Sequence, residues 1–89
     1  MRYLIMLEQT EVGFAVQVPD LAIVTYGENL TAAKQAACDA ILINLTAYQE
    51  AGQTVPERQA VEVHLENPEF QDFLFTYVEV SEPKERIAA

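Results

Sequence analysis

Three side chains in this sequence could do chemistry, and they lie far apart. The single histidine, His64, could act as a general base or metal ligand, and the single cysteine, Cys38, as a nucleophile. Asp20 could join the several carboxylates of a two-metal nuclease site, but an aspartate after a proline more often hydrogen-bonds its own turn. No second histidine or cysteine stands at ligand spacing from His64. We therefore predict no catalytic centre, metal or cofactor.

Acidic side chains dominate the charge of the chain. Fourteen Asp and Glu against five Lys and Arg give a net charge of −9, which argues against nucleic-acid binding through clustered basic residues. If a basic protein docks by charge, the candidate residues are Asp20, Glu62, Glu66, Glu69 and Asp72. A merely solubilising surface is the alternative explanation.

Aromatic residues alternate near the end of the chain. Phe73, Phe75 and Tyr77 share one face of a strand-like window at 73–80. They could stack single-stranded nucleic acid, but no basic groove accompanies them. A core face or an oligomer interface is the better interpretation. If this strand lies at a sheet edge, two copies could pair there as a homo-oligomer.

Hydrophobic periodicity predicts the elements that position these residues. Strands are predicted at 2–8, 12–18, 22–26, 61–65 and 73–80. In the window 61–65, the alternation points Val61, Val63 and Leu65 inward and Glu62 and His64 outward. The order β-β-β-α-β-β predicts an α+β domain at 1–80, with one helix packed on a mainly antiparallel sheet and a frayed tail at 81–89.

The predicted helix follows Asn29, a good N-cap, and ends near Gly52. Its apolar stripe recurs at spacings of three or four residues and contains Leu30, Ala33, Ala37, Ala40, Ile41, Leu45 and Tyr48. Cys38, Leu42 and Ile43 fall partly off that stripe. Either the helix is buried on two sides, or part of it meets a partner.

Composition also bears on location. No stretch approaches 18 apolar residues, and the initial apolar run covers only residues 3–7, too short for a signal peptide. A single cysteine allows no intrachain disulfide, which fits a reducing compartment. We expect a cytoplasmic protein that does not bind membranes.

Short motifs follow one another in a fixed order from residue 1 to residue 56. They are Met1-Arg2-Tyr3, Phe14-Ala15-Val16-Gln17-Val18-Pro19-Asp20-Leu21, Gly27-Glu28-Asn29, an alanine-rich helix, and Gly52 followed by Val55-Pro56. In this order and spacing they resemble the HicB-like antitoxin family. Ala22-Ile23-Val24 stands where the family continues into Pro-Gly, and Thr31-Ala32 replaces an acidic pair.

The resemblance implies a truncated ribonuclease-H-like fold without that fold's catalytic carboxylates. It further implies a non-enzymatic antitoxin that oligomerises and masks a small basic toxin that cleaves mRNA. Longer family members carry a DNA-binding module, whereas few residues follow Val80 here, so direct nucleic-acid binding is not expected. The alternative is a free-standing oligomer of this fold that binds another protein or a small molecule, as the altered Ala22-Ile23 segment suggests.

Overall fold

A four-stranded antiparallel sheet and one long helix form the body of the protein. The computed structural model describes residues 1–81. The strands are β1 (Arg2–Gln9), β2 (Phe14–Val18), β3 (Ile23–Gly27) and β4 (Leu74–Glu79), in the spatial order β3-β2-β1-β4. The helices are α1 (Leu30–Ala51) and the short α2 (Val61–Leu65), and single 3-10 turns occupy Pro19–Leu21 and Pro68–Phe70. The predicted α+β class is confirmed.

Strand β1 lies at the centre of the sheet and is buried on both faces. It pairs with β2 on one side and with β4 on the other, and both pairings are antiparallel. Tyr3, Ile5 and Leu7 belong to the core cluster beneath α1. Leu4 and Met6 point to the opposite face, because side chains alternate along a strand, and they are buried as well. The sheet therefore needs cover on both faces.

Helix α1 covers one of these faces with most of its predicted apolar stripe, but Leu30, which was predicted to belong to that stripe, is 45% exposed. Its buried residues recur every three or four positions and are Ala33, Ala37, Ile41 and Leu45. At its start, the Asn29 side-chain oxygen accepts a hydrogen bond from the backbone N–H of Ala32 at 2.8 Å. At its end, Gly52 adopts a left-handed conformation with φ of 66°. Both predicted helix ends are confirmed.

The prediction of a strand at 61–65 is wrong, because these residues form helix α2. The order is therefore β-β-β-α-α-β. The predicted orientation is also reversed, since His64 is buried at 6% exposure whereas Val63 is 51% exposed and Leu65 is exposed too. Five alternating residues fit one helical turn as well as a strand. The contacts of His64 decide between them here.

Strand β3 starts one residue later than predicted and includes Gly27. Ala22, which precedes it, has φ of 54° and closes the 3-10 turn by donating its N–H to the Pro19 carbonyl. This left-handed conformation is unfavourable for alanine, so the turn is held by its surroundings. The predicted frayed tail at 81–89 lies outside the described residues, apart from Ser81.

The two glycines at either end of α1 give a matched pair of stability tests. A Cβ at Gly27 would overlap the backbone N and Cα of Ala33, whereas a Cβ at Gly52 would have open space around it. We expect Gly27→Ala to lower the free energy of unfolding by about 3 kcal/mol, because backbone atoms must move. Gly52→Ala should cost only about 1 kcal/mol, from its positive φ. Urea unfolding measures both values, and equal losses would contradict the close helix–strand contact.

Candidate functional site

The second face of the sheet is covered by the segment that follows α1. Met6, Gln17 and Val24 stand side by side on this face, as the strand register places them opposite one another. A cavity there is lined by Gln17 and Val24 from the sheet and by residues of α2 and the turn after it, among them His64 and Phe70. The α2 segment therefore forms a second layer, opposite α1.

A buried hydrogen-bonded pair holds this second layer in place. His64 Nε2 lies 2.9 Å from Asp20 Oδ1, and the Asp20 side chain is only 2% exposed. The same Asp20 oxygen accepts a hydrogen bond from the backbone N–H of Gln59 at 3.2 Å. Asp20 thus joins the turn after β2 both to α2 and to the linker, the residues between the end of α1 and the start of α2. A buried carboxyl group requires such partners, because its desolvation would otherwise be costly.

Arg58 ties the same linker to β1. Its guanidinium donates a hydrogen bond to the carbonyl of Arg2 at 3.0 Å and lies 5.4 Å from the centre of the Tyr3 ring. The pKa of the Tyr3 hydroxyl is raised. Burial is the largest cause, the charge of Arg58 partly opposes it, and the charge of Asp20 adds to it. The cluster of Asp20, His64, Arg58 and Tyr3 therefore fastens the linker and α2 to one end of the sheet.

The arrangement of these groups favours a structural role. His64 Nε2 is directed at Asp20, and no group of three or more His, Cys, Asp or Glu side chains within residues 1–81 is placed to hold a metal ion. Cys38 is half-buried, with Sγ 3.8 Å from the carbonyl oxygen of Glu79. Burial, followed by the nearby Asp39 charge, raises the pKa of the Cys38 thiol, which makes it a weaker nucleophile at neutral pH.

A cavity of about 480 Å³ adjoins the buried pair. Its apolar wall includes Val24 and Val63, which are 73% and 51% exposed, together with Phe70. Its polar wall contains His64 and three amide side chains, those of Gln17, Gln59 and Asn67. This combination of apolar surface and amide donors and acceptors suits a peptide or a small polar molecule.

The predicted docking acids are separated by the fold. Glu62, Glu66, Glu69 and Asp72 are exposed, and all belong to α2 or to the residues that follow it. Asp20, which the sequence grouped with them, is an internal group with its oxygen engaged by His64 and Gln59. The candidate docking surface therefore consists of the four acids at 62–72, named below the acidic segment.

The predicted aromatic ladder lies at the other edge of the sheet. Phe75 and Tyr77 face away from α1, beside Met6 and Leu4 of β1. Tyr77 is 46% exposed, and the Arg2 guanidinium lies 5.4 Å from its ring centre. Phe73 precedes β4 and packs edge-on against Phe70 at 6.0 Å. Phe73 and Phe75 are half-buried in the single chain, whereas Tyr77 is exposed and leaves aromatic surface at the β4 edge.

The outer face of α1 also leaves apolar surface uncovered. Ile43 is 71% exposed and Leu42 is partly exposed, so these two of the three residues off the predicted stripe point outward, whereas Cys38 is half-buried and packs against the core. None of the helices in residues 1–81 is both long enough and apolar enough to cross a membrane.

Sequence reasoning missed the Asp20–His64 contact. The two residues are 44 positions apart, and no periodic pattern links them. The strand prediction also turned His64 outward. The sequence offered one signal at Asp20, the preference of an aspartate after a proline for a local turn. That preference explains the backbone turn at Asp20, but it does not identify the long-range partner of its side chain.

Substitution of Asp20 tests whether it fastens the α2 segment. Asp20→Ala leaves His64 Nε2 and the Gln59 N–H without their acceptor, so we expect a loss of about 1–3 kcal/mol in the free energy of unfolding. Amide exchange at 59–66 should rise most, because the segment loses its anchor. Asp20→Asn retains an acceptor oxygen and should cost less. Asp72→Ala, at an exposed acid, is the control, and equal effects of Asp20→Ala and Asp72→Ala would contradict the role of the pair.

The fold of this chain is similar to that of several solved structures. The crystal structure of the Burkholderia pseudomallei antitoxin HicB matches with a TM-score of 0.81 and 23% identity, over 100% of this chain and 74% of that one. The N-terminal domain of the same antitoxin matches with a TM-score of 0.76 and 24% identity, over 91% and 99%. A chain of a HicA3 and HicB3 toxin–antitoxin complex matches with a TM-score of 0.76 and 20% identity, over 91% and 99%.

Comparison of sequences identifies the family of the chain, which similarity of fold alone does not. A 14.9 kDa protein from the rep-hol intergenic region of Haemophilus phage HP1 is 31% identical over 81 residues. The match covers 90% of this chain but 61% of that relative's length. The model of a family described as HicB-like antitoxin of bacterial toxin–antitoxin systems matches residues 3–87. The chain therefore belongs to the HicB-like antitoxin family.

Proposed function

We propose that this protein is a non-enzymatic antitoxin that binds and masks a small basic toxin, which cleaves mRNA in the cytoplasm. Family membership over residues 3–87 is the observation that carries this proposal. The HicA3 and HicB3 complex supports it, because a chain of that complex shares this fold. The inward-facing His64 supports a binding role, since its Nε2 is bonded to Asp20 in the interior.

The acidic segment supplies the docking surface in this proposal. Glu62, Glu66, Glu69 and Asp72 are exposed, and residues 59–83 contain neither Lys nor Arg. A surface of one sign speeds the encounter with a partner of opposite sign and fixes its orientation. Since α2 is fastened to the sheet through His64, these charges are held on an ordered element.

Reversal of charge at two sites tests the docking surface. The assay co-expresses the chain with any small basic protein that a neighbouring gene encodes, and it measures relief of growth arrest and the Kd of the purified pair. Glu62→Lys with Glu66→Lys should raise the Kd by tenfold or more, which corresponds to about 1.4 kcal/mol. Glu8→Lys with Glu11→Lys changes the net charge equally at another part of the surface and is the control.

The two parts of the proposal fail in different ways. If the unchanged chain relieves no arrest and captures no basic partner, the antitoxin function is wrong. If both charge reversals weaken binding equally, the effect is one of net charge, and the acidic segment is not the docking surface.

We further propose that two copies of the chain pair through β4. β4 is an edge strand of the described sheet, and Leu74 and Tyr77 are exposed on it. An antiparallel pairing centred on Thr76 would place Phe75 opposite Tyr77 of the other copy and Leu74 opposite Val78. Such aromatic and aliphatic cross-strand pairs stabilise a sheet, and the joined edge would be covered.

Light scattering at micromolar concentration tests this dimer. We expect twice the chain mass for the unchanged protein and the mass of one chain for Leu74→Lys with Tyr77→Lys, because four lysines would then line the joint. Val24→Lys alters the other edge strand and should leave the dimer intact. A monomeric mass for the unchanged chain would refute the pairing.

The alternative function is a free-standing oligomer of this fold that binds another protein or a small molecule. The cavity of about 480 Å³ beside His64 is the observation that favours it. Relief of growth arrest in the co-expression assay would decide against this alternative.

A further inference from the structure

β3 is the second edge strand of the described sheet and is open to pairing. Within residues 1–81, β2 is its only neighbour in the ladder. Its sequence, Ile-Val-Thr-Tyr-Gly, contains none of the lysines or prolines that commonly protect edge strands from pairing. Val24 and Tyr26 are exposed on the face turned away from α1. An incoming strand would thus find free backbone groups and apolar side chains.

The cavity beside His64 lies next to the beginning of this edge. Ile23 and Val24 line it from β3, Ala22 from the turn before β3, Val63 and His64 from α2, and Asn67 from the turn after α2. We name the space between Val24 and Val63 the β3–α2 groove. A strand added to β3 would run along this groove and direct every second side chain toward its apolar walls.

The chemistry of the groove matches that of peptide-binding sheet edges. Backbone hydrogen bonds to an edge strand supply affinity, and pockets for alternate side chains supply specificity. Here Val24, Val63 and Phe70 offer room for an aliphatic side chain, and Gln17 and Asn67 offer amides to the peptide backbone. His64 forms part of the wall and is held in place by Asp20.

Charge selects the kind of partner. Glu62 directly precedes Val63 on α2, and Glu66 directly follows the end of α2; both are exposed. The residues that line the groove include no Lys, Arg, Asp or Glu, so these two acids supply its charge. An acidic segment would be repelled by these neighbouring acids, whereas a basic segment would be attracted.

We propose that the β3–α2 groove binds an extended segment of a basic protein, which adds a strand to β3 and inserts an aliphatic side chain between Val24 and Val63. This inference rests on the proposed antitoxin function and identifies the surface that the partner occupies. α2 and β3 contact the partner together, so the Asp20–His64 pair acts as a positioning contact for the groove.

A peptide probe tests the groove without the toxin. The probe is a blocked heptapeptide of alternating lysine and valine, titrated into the full isotope-labelled chain and followed by amide chemical shifts. We expect shifts at 22–27 and 63–67, and no binding by the same peptide with glutamate in place of lysine. Val24→Lys should lower the affinity at least tenfold, because it places a charge in the groove. Ile43→Lys, equally exposed on the outer face of α1, should leave it unchanged.

Three results would overturn the inference. They are shifts centred on β4 or α1, equal binding of the acidic peptide, and a Val24→Lys chain that relieves growth arrest as fully as the unchanged chain. The last result would leave the antitoxin function standing. Binding of the basic peptide at β3 by a chain that relieves no arrest would instead overturn the antitoxin function alone.

Discussion

Burial of β1 on both faces is the constraint on which the rest of the structure depends. An antiparallel sheet can leave one face in water, but Leu4 and Met6 make that impossible here, because they would expose apolar surface. α1 covers one face with small alanines and larger aliphatics. The other face needs a second layer, and a five-residue helix is too short to be stable alone. The buried Asp20–His64 pair therefore provides the attachment that α2 cannot provide for itself.

Local patterns predicted the parts of the fold that local physics controls. α1 has a long apolar stripe and two caps, β1 carries a continuous apolar run, and β4 is rich in aromatic and β-branched residues, so these elements were predicted correctly. α2 was not, because five alternating residues carry no decisive period, and a contact 44 residues away in sequence fixes their conformation. The same contact moved Asp20 from the predicted docking surface to the interior. The other predicted acids kept their place on the surface, as isolated charges normally do.

The polar groups near α2 have two different roles. Asp20, His64 and Arg58 hold the second layer and are directed inward, while the acids at 62–72 are carried outward on that layer. The inner contacts thus limit the motion of the segment that carries the outer charges. Less conformational entropy is therefore lost when a partner binds to it. The chain belongs to the HicB-like antitoxin family, and in the antitoxin function proposed above this division would place fixed charges on the surface that meets the partner.

The pairing of β1 with β4 also has a consequence for how the chain folds. Tyr3 stands opposite Val78, so one ladder of the central strand closes a loop of more than 70 residues. Contacts of such sequence separation slow folding, because the entropy of loop closure is lost before the contact forms. The hairpin of β1 with β2 can form early, during synthesis, but the other edge of β1 stays open until β4 has been made. In that interval the nascent chain carries an apolar, unpaired edge, and its safety from aggregation depends on how quickly its own last strand arrives.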